Sequence, residues 1–127
     1  MVDLYWIPLG AGGHCVRLTG LAYRACTGRE LYHAALIVDD HAIEVAPSWD
    51  ANEASRGVVA TGAVGSRLLD AVASVPTPVW GRDELGAGEM WNSNSMVAWL
   101  IAGAGLPADL LRPPANGRAP GWGAGLL

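Results

Sequence analysis

The chain has 127 residues with a formal net charge of −4, and 51% of its residues are hydrophobic. This length and hydrophobic content are typical of one globular domain with a single core. The acidic balance and the absence of Lys exclude the clustered basic surface that nucleic-acid binding requires.

Four segments of the chain predict β-structure. Residues 2–7 alternate between apolar and polar side chains, which indicates a short strand. Residues 31–38 and 41–46 are apolar and partly β-branched, and Asp39-Asp40 between them predicts a two-residue hairpin turn. A brief further strand is predicted at residues 58–59.

Helical patterns occupy three other regions. A helix is predicted over residues 16–25, and Ser66 is expected to cap a second, short helix with Val72 on its inner face. A third helix, with a wide apolar face, is predicted to begin at Asn92. The tail, residues 112–127, is rich in Pro and Gly, and it is expected to wrap the surface or fray.

The hairpin places a His and a Glu on one face of the predicted sheet. With a two-residue turn, Val38 faces His41 and Ala35 faces Glu44. His33 then shares a face with Glu44, and their Cα atoms lie about 7–8 Å apart as diagonal neighbours. A carboxylate that orients a His is part of a nucleophile–base–orienter relay. A His in an apolar strand is also typical of an ordinary core residue.

Residues 91–95 read Trp-Asn-Ser-Asn-Ser directly before the third predicted helix. Asn and Ser are preferred helix caps, but one residue is enough for capping. A helix start also offers unpaired N–H groups and partial positive charge, which activate a nucleophile or bind an oxyanion. The segment is therefore a candidate site as well as a candidate cap.

This order of residues resembles the circularly permuted NlpC-like hydrolases of papain fold, including the lecithin:retinol acyltransferase group and the PPPDE peptidases. Those proteins have a His on a strand, a polar residue about eleven positions later, and a nucleophile at a downstream helix start. Their helix begins Asn-Cys-Glu or Asn-Cys-Asn, and Asn92-Ser93-Asn94 matches that frame with Ser93 at the Cys position. Between Glu44 and Ser93 such folds carry further strands, for which this chain offers only residues 58–63.

The chain is also similar to an uncharacterised bacterial domain family that carries Trp-Pro-Gly-Pro-Asn-Ser-Asn-Thr-Phe before a helix and a Pro-Pro segment shortly after it. The counterparts here are residues 91–96 and Leu-Arg-Pro-Pro-Ala-Asn-Gly at 111–117. The resemblance covers mainly residues 31–46 and 90–118. It implies an α+β fold with a small antiparallel sheet packed against the helix that starts at Asn-Ser-Asn-Ser. We expect one papain-like domain over residues 1–127, with an extended tail at 112–127.

The resemblance implies an amide or ester hydrolase, or an acyltransferase, with a Ser-His-Glu relay and no cofactor. Ser93 would be the nucleophile, His33 the general base and Glu44 the orienting residue. The backbone N–H groups of 93–94, with Asn92, would bind the oxyanion. Side chains expected to contact a small-molecule, peptidyl or acyl substrate are Asn92, Asn94, Ser95, Trp91 and Trp80, the two Trp residues forming groove walls in the loop over 75–91.

Several alternatives stay open at this stage. Ser95 or Cys15 could replace Ser93 as the nucleophile. A metal site from His14, Cys15, His33 and His41 is disfavoured because these residues lack the ligand spacing of a zinc site, so no metal is expected. The same fold could also be a catalytically inactive binding module, or a structural domain whose Asn-Ser-Asn-Ser segment is only a cap.

The expected location is the cytoplasm. The first eight residues have neither the basic start nor the apolar run of a signal peptide. The longest apolar stretch, residues 96–104, is far shorter than the roughly 20 residues that cross a bilayer. Without a signal, Cys15 and Cys26 are expected to remain free thiols. We therefore expect no membrane span and no nucleic-acid partner, and the sequence leaves the oligomeric state open.

Overall fold

The computed structural model describes residues 1–8, 14–39, 41–43, 55–60, 63–79, 81–114 and 116–127. Side chains at 14–17, 19–20, 41–43 and 55–60 lie outside this description. The elements, in chain order, are β1 (Val2–Pro8), α1 (His14–Thr27), β2 (Tyr32–Val38), β3 (His41–Ile43), β4 (Ser55–Ala60), α2 (Val64–Ala71) and α3 (Ser93–Gly103). Short 3₁₀ turns follow at Val72–Ser74, Ala108–Leu110 and Gly123–Leu126.

The four strands form one antiparallel sheet in the order β3-β2-β1-β4. β1 is central and pairs with β2 along its full length, from Val2 opposite Val38 to Pro8 opposite Tyr32. The predicted α+β class with a small antiparallel sheet is therefore confirmed.

The hairpin register agrees with the sequence prediction over its described residues. Val38 faces His41, and Leu36 faces Ile43 two residues further from the turn. Asp39 has a φ of 45°, the left-handed conformation that a two-residue hairpin turn needs and that Asp tolerates. The predicted pair of Ala35 with Glu44 lies outside the described residues.

The core lies between one face of this sheet and the helices α2 and α3. Side chains alternate along β2, and its even-numbered residues, from Tyr32 to Val38, are all buried on the core face. His33 therefore belongs to the opposite face of the strand and is half-buried. Among the described residues, the fully buried aliphatic side chains on the core side are Val2, Leu4, Leu36, Val38, Leu68, Val97, Leu100 and Ile101.

Helix α3 has well-defined ends. The Asn92 side chain caps its start and the Ser95 hydroxyl returns a bond to the Asn92 N–H, which together form a capping box. At its end Gly105 has a φ of 80°, and the N–H of Leu106 donates to the carbonyl of Ile101. This is a Schellman motif, and glycine suits the left-handed position that closes it.

Helix α2 differs from its prediction at both ends. It begins at Val64 after Ala63, without a side-chain cap, so the predicted cap at Ser66 is wrong. The helix tightens into a 3₁₀ turn at Val72–Ser74, and Val72 is 40% exposed rather than directed inward. Val75, directly before Pro76, packs against the core again after this turn.

The tail lies closer to the core than its composition indicated. Its backbone pairs with the segment before β2, since the Tyr32 N–H donates to the Arg118 carbonyl. The ring of Trp122 is buried and packs against Trp6 with a centroid distance of 4.9 Å. The segment around Trp122 is therefore part of the hydrophobic core, while other residues of the tail, such as Arg112 and Leu127, lie on the surface.

Within the described part of the chain, none of the helices has the length and apolar character needed to cross a bilayer.

Candidate active site

The structure brings Ser93 and His33 together although 60 residues separate them in the chain. Ser93 is the first residue of α3, and its Oγ lies 2.7 Å from Nδ1 of His33, on β2. This is the hydrogen-bond distance expected between a nucleophile and its general base. Ser93 is 7% exposed, so the pair lies largely away from solvent.

The burial of His33 favours its neutral form. Desolvation lowers the pKa of His33 below its usual 6.5, because the charged imidazolium loses hydration inside the protein. A neutral imidazole can accept a proton at neutral pH, as a base must. To accept the Ser93 hydroxyl proton at Nδ1, the ring must hold its own proton on Nε2.

The other ring nitrogen of His33 is also shielded from solvent. Nε2 is buried, and no residue in the described ranges lies within hydrogen-bonding distance of it. A buried N–H without an acceptor costs about 1–3 kcal/mol. The predicted partner, Glu44, lies outside the described residues.

Asn94 connects the start of α3 to the strand that carries His33. Its Oδ1 accepts a hydrogen bond from the Ala34 N–H at 2.7 Å, and its Nδ2 donates to the Tyr32 carbonyl at 3.0 Å. The same Nδ2 also donates to the Pro120 carbonyl at 2.9 Å. The side chain is 4% exposed, and these bonds use its hydrogen-bonding groups inside the protein.

Asn92 acts as a cap and not as the predicted free oxyanion donor. Its Oδ1 accepts from the N–H groups of Asn94 and Ser95, while its Nδ2 donates to the Pro120 carbonyl. Of the two backbone N–H groups predicted to bind the oxyanion, that of Asn94 is therefore already bonded to the Asn92 side chain. The N–H of Ser93 is the first-turn donor that the cap does not engage.

The Ser95 hydroxyl forms hydrogen bonds with the helix cap and the tail, and its described bonds do not include one to His33. The hydroxyl donates to the Gly121 carbonyl at 2.6 Å and accepts from the Asn92 N–H at 3.0 Å. The side chain is fully buried. These bonds assign Ser95 to the joint between α3 and the tail, and they leave Ser93 as the serine paired with a base.

Carboxylates at the surface hold the loop before α3 through hydrogen bonds to backbone N–H groups. Asp83 accepts from the N–H groups of Ala87 and Gly88, and Glu89 accepts from the Gly123 N–H. Trp91 is 4% exposed, which leaves little of its ring for a substrate and corrects its expected place on an open groove wall. Trp80, the other expected groove residue, lies outside the described part of the loop.

Two alternatives from the sequence, Cys15 as the nucleophile and a metal site with His14 and His41, involve side chains outside the described part of the chain. The side chain of Cys15, the rival nucleophile, is not among the described side chains, and neither are those of His14 and His41. Within the ranges that are described, no three metal-ligating side chains come together.

A groove of about 440 Å³ opens on the tail side of α3. Its lining combines apolar residues such as Leu111 and Trp122 with the charged side chains of Glu89 and Arg118. Neither Ser93 nor His33 lines it, so this groove is separate from the paired residues.

Three glycines of the tail, which the sequence pattern did not single out, allow the tail to lie close to Tyr32 and to the start of α3. A Cβ on Gly117 would lie 2.3 Å from the Tyr32 ring, and one on Gly121 would lie 2.6 Å from the Asn92 amide. A Cβ on Gly125 would lie 2.1 Å from the Ser95 carbonyl oxygen. The spacing of four between these glycines was the available signal, but only the fold shows what each one contacts.

The described geometry can perform one kind of chemistry. A hydroxyl bonded to a neutral imidazole at a helix start can attack an electrophilic carbonyl carbon.

Comparison of the chain with protein-family models, curated proteins and solved structures found no match.

Proposed function

We propose that the protein is a serine-type amide or ester hydrolase, or an acyltransferase, that uses Ser93 and His33. The observation that supports this most strongly is the 2.7 Å contact between Ser93 Oγ and His33 Nδ1. A serine hydroxyl is a poor nucleophile at neutral pH unless an adjacent base accepts its proton. The lowered pKa of His33 supplies a neutral base in that position.

The proposed reaction proceeds in two steps. Ser93 Oγ attacks the carbonyl carbon of an amide or ester while its proton moves to Nδ1 of His33. The tetrahedral intermediate collapses, His33 gives the proton to the leaving amine or alcohol, and an acyl-serine ester remains. Water releases the acyl group as a carboxylic acid in a hydrolase, whereas a second amine or alcohol accepts it in an acyltransferase.

The developing oxyanion needs donors aimed at it. The Ser93 N–H at the start of α3 is the proposed first donor, because the cap leaves it unengaged and the helix start is partly positive. This differs from the sequence-based assignment, in which Asn92 and the Asn94 N–H shared this role.

The third member of the proposed relay is Glu44. A carboxylate at Nε2 of His33 would hold the ring in the tautomer that accepts at Nδ1. Val38 faces His41 and Leu36 faces Ile43 in the described part of the hairpin, and this register is the one that predicts Glu44 on the same face as His33. A papain-like, permuted NlpC-like frame with a cytoplasmic location belongs to the same proposal.

Turnover of small acyl substrates tests the proposal. The wild-type protein and Ser93→Ala are incubated with a panel of nitrophenyl esters and anilides of different acyl chains. We expect release of nitrophenol or nitroaniline by the wild type, and a rate at the uncatalysed level for the variant. Ser66→Ala, which alters an exposed serine on α2, serves as the matched control and should keep the wild-type rate. Equal rates for the Ser93→Ala and wild-type proteins would reject the proposal.

A binding module of the same fold is the second candidate. The observation that favours it is the chemistry of position 93, where serine stands in place of the more reactive thiol. In a binding module the wild type would be inactive, but Ser93→Cys would place a thiol beside the His33 base. Turnover by Ser93→Cys alone would support the binding module, and turnover by the wild type would support the enzyme.

A further inference from the structure

We infer that Asn94 is a positioning residue for the Ser93–His33 pair. This inference rests on the proposed function, because positioning has a catalytic meaning only if the pair reacts. Asn94 follows the proposed nucleophile in sequence, and its side chain bonds the backbone on both sides of the proposed base. It is thus the side chain that connects the two partners directly.

The hydrogen-bond partners fix the orientation of the Asn94 amide. Two backbone carbonyls, from Tyr32 and Pro120, require the NH₂ group, and the Ala34 N–H requires the oxygen. The reversed amide would place its oxygen against two carbonyl oxygens and its NH₂ against an N–H. The buried side chain therefore has one arrangement that satisfies all three partners.

This arrangement restrains the His33 backbone specifically. The Tyr32 carbonyl and the Ala34 N–H are the groups that a neighbouring strand would bond along this edge of β2. In the described part of the hairpin, β3 pairs with Leu36 to Val38, and Asn94 bonds β2 at Tyr32 and Ala34. The amide therefore acts as a short piece of strand that lies against His33.

The third bond extends the restraint to the tail. The Pro120 carbonyl accepts from the side chains of both Asn92 and Asn94. We call the two bonds from the Asn94 side chain to Tyr32 and Ala34 the β2 clamp. Since Asn92 caps α3, the Pro120 carbonyl contacts both the helix cap and the residue that forms the β2 clamp. The start of α3 is thereby held against the strand and against the tail.

The magnitude of the expected effect follows from the geometry that catalysis requires. Reacting groups must be held within about 0.5 Å of their productive positions. A displacement of about 1 Å costs roughly 100-fold in rate. We expect Asn94→Ala to lower kcat by roughly that factor with little change in KM, because the buried Asn94 side chain is bonded inside the protein and does not take the substrate-contacting place expected from the sequence.

The test combines kinetics with nuclear magnetic resonance of the His33 ring. Long-range ¹H–¹⁵N spectra report which ring nitrogen holds the proton and how the ring titrates. For Asn94→Ala we expect loss of the hydrogen-bonded Nδ1 signal and a His33 titration midpoint that moves up toward 6.5 as the ring becomes hydrated. Asn94→Ser is the milder second variant should Asn94→Ala fail to fold.

Trp122→Phe is the matched control for lost stability. It removes another buried side-chain donor, the Trp122 Nε1 bond to the Ala108 carbonyl, and it leaves the β2 clamp intact. A purely structural role for Asn94 predicts that both variants unfold more easily while the His33 spectrum keeps its wild-type form. A positioning role predicts a changed spectrum for the Asn94 variant alone.

The outcomes separate this inference from the proposed function. A changed His33 spectrum with no turnover by the wild type supports positioning and rejects the hydrolase. Wild-type turnover with an unchanged spectrum and kcat in the folded Asn94 variant rejects positioning and retains the hydrolase. If neither Asn94 variant folds, the residue serves folding itself and the positioning role is overturned.

Discussion

The contact between Ser93 and His33 depends on two residues whose backbone positions come from different elements. His33 belongs to the face of β2 opposite the core, while Ser93 begins a helix that packs on the core face. They meet because the start of α3 lies against the edge of β2, where Asn94 bonds the strand. The short distance is therefore a product of the helix–strand joint and of neither residue alone.

The burial of His33 predicts a pH dependence of stability. Its pKa is lowered in the folded protein, so the unfolded chain binds a proton more readily below pH 6.5. The full contribution is present above pH 6.5, and stability falls as the pH drops from there toward the lower folded-state pKa. We expect urea denaturation to show a larger loss between pH 7 and pH 5 for the wild type than for His33→Gln.

The comparison with His33→Gln isolates one of three histidines, since His14 and His41 are present in both proteins. The variant keeps a polar side chain that can bond the Ser93 hydroxyl but cannot gain a proton in this range. Equal pH dependence in the two proteins would show that His33 is not held neutral by burial.

At the scale of elements, α3 and the tail pack through glycine contacts. A Cβ on Gly125 would lie 2.1 Å from the Ser95 carbonyl oxygen and 2.9 Å from the Ala98 Cβ. Both neighbours belong to the rigid part of α3, so the helix and the tail would have to separate. The close approach brings the Gly121 carbonyl within bonding distance of the Ser95 hydroxyl.

Gly125→Ala is therefore expected to destabilise the protein by about 1–3 kcal/mol, the typical cost of overpacking. Gly103→Ala is the matched control, because a Cβ at that exposed helical position would meet no atom within 4 Å. Alanine there should stabilise the helix by about 0.5–1 kcal/mol. Urea denaturation of both variants measures the difference, and a Gly125→Ala protein as stable as the wild type would refute the close packing.

The sequence predicted the elements whose patterns are local, and it missed those that tertiary contacts decide. The register of Val38 with His41 followed from turn length, and a helix cap within the Asn-Ser-Asn-Ser segment followed from residue type. The frame of the Asn-Ser-Asn-Ser segment also assigned Ser93, rather than Ser95, to the His33 side. Nothing local showed that the Asn94 amide would take a strand's place against β2, because its partners lie about 60 residues away.

At the scale of the whole molecule, the tail packs against both the sheet and the region after α3. Trp122 is buried, its ring packs against Trp6 of β1, and its Nε1 donates to the Ala108 carbonyl after α3. One side chain thus joins the sheet, the region after α3 and the tail. A Pro- and Gly-rich composition predicted a peripheral segment because it lacks periodic hydrophobic residues, but the aromatic ring of Trp122 buries the part of the tail around it.

Trp122→Ala should consequently cost about 3–5 kcal/mol of unfolding free energy, the usual range for removing a buried aromatic ring. This is a large fraction of the roughly 5–15 kcal/mol that stabilises a typical domain. Leu127→Ala, at a position 77% exposed, should change stability by less than about 0.5 kcal/mol. Similar denaturation midpoints for both variants would mean that the tail is dispensable to the core.

The most direct test of the Ser93–His33 pair is covalent labelling with a fluorophosphonate, followed by peptide mapping by mass spectrometry. A serine activated by an adjacent base displaces fluoride from phosphorus, while an ordinary hydroxyl does not. We expect one adduct on the wild-type protein, located at Ser93, and no adduct on Ser93→Ala or His33→Ala. A folded wild-type protein that stays unlabelled, or that is labelled at another serine, would contradict it.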